Sequence, residues 1–153
     1  MSNCGISQIF FRETYTVPSE QTAKRMFGVL PHGKSYADRQ VNAMATGYLI
    51  AVLESICARE MQAHFDQNEE ALVVSSMQCQ HRAPIPAGAL IRISGWVTGV
   101  ENQQATFRVQ ASDELEMVCE GQIRFAIVQR AQIERKLQRK CEAIKRRELF
   151  ASA

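Results

Sequence analysis

Sixteen residues, Met44 to Arg59 (MATGYLIAVLESICAR), decide most of what this chain can become. From Tyr48 to Ala58 apolar side chains fall on every side of a helical projection rather than on one stripe. A helix of that kind has to be enclosed by other elements. Glu54 breaks the pattern, because its neighbours three and four positions away are Ile50, Ala51, Cys57 and Ala58, and none of them can pair with a charge. A lone carboxylate in such company points to a distant partner or to a chemical role. Thr46 stands eight residues earlier, two turns up and little rotated, so one pocket is expected to receive both side chains.

The remaining residues supply the enclosure. Ile9 to Val17 has the aromatic and β-branched content of a strand and ends at Pro18. Ser19 offers an N-cap for a short helix to about Phe27, stopped by Gly28. Residues 28–40 read as a long loop beside the central helix, a lid or pocket wall. The central helix reaches about Phe65, with Thr46 or Asn42 available as its cap. Leu72 to Arg82 alternates, with Val73, Met77, Cys79 and His81 on one face, before the APIPAG turn of Ala83 to Gly88. Leu90 to Val100, Ala105 to Ala111 and Leu115 to Gln129 follow at hairpin spacing. In the last strand Met117, Cys119, Ile123, Phe125 and Ile127 oppose Glu116, Glu120, Gln122 and Arg124, and Gly121 suggests a bulge. Beyond Gln129, Ile133, Leu137, Cys141 and Ile144 form a single stripe on a basic helix.

At 153 residues this is one domain (1–129), followed by a C-terminal basic helix (130–153) packed on it or extending from it. The architecture expected is α+β, an antiparallel sheet wrapped round a long central helix, which is the hotdog arrangement. No apolar run is long enough to span a bilayer, and the N-terminal residues have neither the basic start nor the apolar run of a signal peptide. Five cysteines without a CxxC read as reduced thiols of a cytoplasmic protein, not as a disulfide framework. Charge is uneven: residues 129–150 hold eight Lys/Arg against three Glu, and the rest hold ten against thirteen acidic residues. A slightly acidic body with a basic tail is not the pattern of a strongly basic nucleic-acid binder. For the tail, a solvated helix packed on the domain by its stripe is favoured over attraction to coenzyme A phosphates, a membrane surface or nucleic acid.

Two segments, ATGYLIAVLESIC (Ala45 to Cys57) and QHRAPIPAG (Gln80 to Gly88), resemble the fluoroacetyl-CoA thioesterase-like family of hotdog proteins. The matching features run in order over residues 10–130: Thr46-Gly47 at the helix start, Glu54 eight residues on, and His81 before an Ala/Pro-rich turn. The resemblance implies an acyl-CoA thioesterase in which threonine, glutamate and histidine act together, and it implies at least a dimer. Open sheet edges and the apolar helix point the same way. Two departures bear on the acyl group. Arg39 and Gln40 stand near the place of the family's aromatic lid residues, and Val74 stands for a glycine on the strand leading to the histidine. Neither departure touches the reaction type.

Thioester hydrolysis needs a polarised carbonyl, a nucleophile and a proton shuttle. Thr46 serves as the nucleophile or as the partner of an attacking water, His81 as the general base, and Glu54 to orient the imidazole or hold the water. Gly47, beside free backbone N–H groups at a positive helix end, is assigned to the substrate oxyanion, and Arg82 is within reach of a phosphate. Taken singly, Thr46 reads better as a cap and His81 as a core histidine; together with Glu54 they read better as a site. Cys79 shares the face of His81 but reads as a core thiol, since residues two apart on a strand are about 6.5 Å apart. With no HxH or HExxH and only a Glu60/His64 pair, neither metal nor separate cofactor is expected, coenzyme A being part of the substrate. The competing reading is a non-catalytic acyl-CoA-binding module, which has no need of all three polar residues.

Overall fold

The computed structural model describes residues 3–151, and the side chains of residues 5–147. Strands β1 (Phe10–Thr16), β2 (Glu70–His81), β3 (Leu90–Glu101), β4 (Gln104–Ser112) and β5 (Met117–Gln129) form one sheet in the order β1-β3-β4-β5-β2. Every neighbouring pair is antiparallel. The helices are α1 (Asn3–Ile6), α2 (Ala23–Val29), α3 (Lys34–Ala37), α4 (Thr46–Met61) and α5 (Arg130–Ala151). The sheet's inner face, with Ile91, Ile93, Phe107, Val109, Ile123 and Phe125, packs with Leu49, Leu53, Ile56, Cys57 and Met61 of α4 in one core. Burying each large apolar side chain stabilises the fold by roughly 1.5–3 kcal/mol. This is the α+β hotdog architecture.

Bulges decide which side chains reach that core. The β2–β5 register shifts between Val74 and Ser76, so Ser75 is an extra residue. An extra residue reverses the alternation. Leu72 and Val74, paired with the core residues Ile127 and Phe125, therefore share the inner face with Met77 and Cys79. Val73, expected on that face, lies on the other. In β5 the shift falls at Val118, which turns Met117 outward beside Ser112, whereas Cys119 stays in. Gly121 is not a bulge: the register runs through it on both sides. Its hydrogen is needed instead because a Cβ there would collide with the Gln78 carbonyl oxygen of β2.

Other expectations change at element ends. Ser19 opens a short 3-10 turn (Ser19–Gln21), not α2, whose N-cap position is Thr22, and α2 passes through Gly28 to Val29. The long loop after it contains α3. Within one chain α4 is covered on one face, and Ala51, Ser55 and Arg59 are exposed, so the enclosure expected on all sides is absent. The stripe on α5 is not packed on the domain: Leu137 is 57 % exposed and Ile144 56 %. The helix runs directly on from β5 and is held at its first residue, where the Arg130 N–H donates to the Glu69 carbonyl at 2.9 Å and its guanidinium to the Gln67 carbonyl at 3.0 Å. No helix among the described residues is long and apolar enough to cross a membrane.

Candidate active site

Three segments are tied together where α4 begins. The Ala23 N–H donates to the Ala43 carbonyl at 2.8 Å, the Met44 N–H to Ile85 at 2.7 Å and the Ala45 N–H to Gln21 at 2.8 Å. The Ala83–Gly88 turn can reverse there because Gly88 takes a φ of 83°, open to glycine at little cost. Just upstream, the Arg82 N–H donates at 2.8 Å to the carbonyl of Val118, the bulged residue of β5. The start of α4 and the last residue of β2 are therefore fixed on the same framework.

Thr46 and His81 meet there, 35 positions apart in sequence, with Thr46 Oγ1 2.9 Å from His81 Nδ1. Thr46 is the first residue of α4, not its cap; the N-cap position is Ala45, which makes no side-chain cap hydrogen bond. The hydroxyl is thus spent on the imidazole. The opening N–H groups of α4, those of Gly47 and Tyr48 included, have no intrahelical acceptor by helix geometry and sit at the positive dipole end. Gly47 packs closely under α2: a Cβ there would lie 3.3 Å from Met26 Sδ.

Burial pushes the His81 pKa below its ordinary 6.5, opposed by a smaller pull from the Ala83 backbone. Nε2 is buried and has no hydrogen-bond partner among the described residues. The ring is therefore predominantly neutral at pH 7. It has one nitrogen on a hydroxyl and the other aimed at a place where a further polar group belongs. A cavity of about 440 Å³ opens beside the pair, lined by Thr46, Gly47, His81, Arg82 and Pro84 and walled by Met26, Phe27, Gln40 and Val41. The wall residues Met26, Phe27 and Pro84 were not singled out in the sequence, where apolar residues near a helix end or turn carry no distinguishing signal.

Glu54 is not brought to this pocket within the chain. It lies eight residues further along α4, about 12 Å down the axis, and is not among the lining residues. It is partly buried, with no hydrogen bond or ion pair among the described residues. Arg82 does line the pocket, but its guanidinium is ion-paired with Glu120 and donates to Gln80 at 3.1 Å, and Arg108 lies 3.6 Å from the same carboxylate. It is thus part of a charge network and not a free cation. Among the described residues no three His, Cys, Asp or Glu side chains cluster as a metal site.

This geometry has relatives. A profile of the family described as fluoroacetyl-CoA-specific thioesterase (FlK) matches residues 30–131, more than half of the chain. The fluoroacetyl-CoA thioesterase of Streptantibioticus cattleyicolor is 22 % identical over 133 residues, which is 87 % of this chain and 92 % of that protein. A crystal structure of the fluoroacetyl-CoA thioesterase FlK aligns with a TM-score of 0.75 at 20 % identity, covering 86 % of this chain and 94 % of that one. A hypothetical protein of Thermus thermophilus, described as a thioesterase superfamily member, gives 0.74 at 19 % identity over 90 % and 93 %. The chain belongs to the fluoroacetyl-CoA-specific thioesterase family of hotdog proteins, and is a thioester hydrolase.

Proposed function

We propose that this protein is a cytoplasmic, dimeric acyl-CoA thioesterase whose reacting pair is Thr46 and His81. The observation that carries the reading is the 2.9 Å contact between hydroxyl and neutral imidazole at the mouth of a cavity. Thr46 Oγ attacks the thioester carbonyl carbon as His81 Nδ1 takes its proton. The developing oxyanion is held by N–H groups at the start of α4, near Gly47. The tetrahedral adduct collapses by breaking the C–S bond, and the thiolate leaves as the thiol with the proton from His81. Water, activated by the same imidazole, then hydrolyses the threonyl ester. If Thr46 only positions a water, no acyl-enzyme forms, and rapid-quench mass spectrometry distinguishes the two. Arg82 at the rim meets a substrate phosphate only by giving up Glu120.

Glu54 takes its part across a dimer. β2 is an open edge, and α4 leaves Ala51 and Ser55 uncovered beside Glu54. Pairing two β2 edges about a twofold lays the two α4 helices antiparallel, with the middle of one beside the start of the other. A carboxylate from the partner subunit would then answer the unpartnered Nε2 of His81. Mixing inactive His81→Ala and Glu54→Gln chains tests this. Each heterodimer would regain one of its two sites, so a randomly paired mixture would recover up to about a quarter of wild-type activity, whereas a carboxylate acting within its own chain gives no recovery.

The fluorinated acyl group is not required by this reading, because Gln40 and Val41 form the wall near where aromatic lid residues are expected. A panel of short, long and aryl acyl-CoAs assayed for free thiol tests the activity. Turnover of at least one supports it, and binding without any turnover favours the acyl-CoA-binding module.

A further inference from the structure

We propose that Cys79 and Cys119 are a peroxide-sensitive dithiol on the strand that carries His81, closing to a disulfide when oxidised. Their sulfurs are 3.2 Å apart. In the ladder Cys79 stands opposite Gly121 and His81 opposite Cys119, so the two cysteines are diagonal neighbours on the inner face. Diagonal positions on adjacent strands are ordinarily near the limit for a disulfide. Here Gly121 removes the side chain that would hold the strands apart, and a Cβ on it would lie only 3.2 Å from Cys79 Cα. Closing to a bond of about 2.0 Å draws on side-chain torsions together with a small shift of the β2 backbone that leads to His81.

The two thiols are also unequal in the way sequential oxidation requires. Cys79 is partly exposed and Cys119 fully buried. The Cys119 hydrogen bond holds Cys79 down to about 7, against the opposing effect of burial, and the same contact raises Cys119. The other described thiols lack this arrangement. Cys57 is buried and pushed up to about 12, chiefly by desolvation, and Cys141 is exposed on α5. The Cys79 thiolate attacks one peroxide oxygen, the O–O bond breaks, and a sulfenic acid and hydroxide result. Cys119 sulfur then attacks the sulfenic sulfur, the S–S bond forms, and hydroxide departs. Two thiol protons neutralise the two hydroxides, so two thiols and one hydrogen peroxide give a disulfide and two waters.

The consequence for turnover rests on the functional reading above; the disulfide does not. His81 is two residues past Cys79 and directly across from Cys119, so drawing the sulfurs together displaces the imidazole from Thr46. A shift of about 1 Å at reacting groups costs on the order of a hundredfold in rate.

The test uses the full chain carrying Cys4→Ser and Cys141→Ser, treated with equimolar hydrogen peroxide. The expected result is loss of two hydrogens in the intact mass, a Cys79–Cys119 cross-linked peptide, and reversal by dithiothreitol. Cys119→Ser stalls the reaction at a dimedone-reactive Cys79. An unchanged mass, or a disulfide that involves Cys57, overturns the proposal. The kcat of the oxidised protein on an accepted acyl-CoA should fall by tenfold to a hundredfold, on the order of the misplacement cost, and return on reduction. A disulfide that leaves kcat unchanged overturns the link to His81. If no acyl-CoA is hydrolysed in either state, the functional reading fails, and the mass result still decides the dithiol.

Discussion

Of the two long helices, α4 is apolar on all sides in the sequence and α5 along a single stripe, and the structure treats their apolar side chains in opposite ways. Leu49 and Leu53 of α4 are fully buried, whereas Leu137 and Ile144 of α5 are more than half exposed. Periodicity reports which face of a helix is apolar, not whether anything covers it. The covering comes from connections. The approach to α4 is hydrogen-bonded to two other segments, and Arg59 near its end is ion-paired with Glu13 of β1. Among the described residues of α5 the hydrogen bonds to the domain come from its first residue, Arg130, and its polar side chains make contacts such as Gln138 to Glu142 at 3.2 Å along the helix itself. The candidate chemistry sits at the end that is pinned, because reacting groups have to be held to a fraction of an ångström.

The sharpest way to break this contrast is at the pinned end. His81→Ala should lose two or more decades of kcat/KM while the far-ultraviolet circular dichroism is unchanged, as expected for removal of a general base. Wild-type turnover in that variant would detach His81 from the mechanism. Next in size, Leu53→Ala empties part of the core under α4 and should cost about 2–5 kcal/mol in chemical denaturation. A smaller effect sharpens the comparison through pH. Because burial lowers the His81 pKa, its base form persists below 6.5, and the acid limb of kcat/KM should fall with an apparent pKa under that value. In stability terms the unfolded chain takes up this proton first. The contribution of His81 is therefore full above about 6.5 and is lost as pH falls through the folded value. Smallest of all, Leu137→Ala on α5 should change stability by no more than about 0.5 kcal/mol and leave kcat unaltered. A loss comparable to that of Leu53→Ala would mean that something covers α5 in solution.

Much of this was legible in the sequence because it is written in local chemistry. Strand content, the hairpin joins and the apolar central helix follow from β-branched runs, turn residues and Leu49, Leu53 and Ile56. The pairing of Thr46 with His81 was legible as a motif. What escaped was set by single extra residues and by distance. The bulge at Ser75 moved Val73 off the inner face, and the one at Val118 turned Met117 outward, and neither residue type marks a bulge. Glu54 falls on the right side of a helical wheel for Thr46, yet a wheel hides the length of two turns that separates them. The close approach of Cys79 to Cys119 depends on β2–β5 register and on Gly121, both tertiary facts, so Cys79 alone looked like an inert core thiol.

The central claim is that Thr46 and His81 act as one unit. A double-mutant cycle in kcat/KM on an accepted acyl-CoA tests it most directly, using Thr46→Ala, His81→Ala and the pair. The account predicts that the double variant is no worse than the poorer single variant, within about threefold. Losses that multiply, as for independent residues, would contradict it.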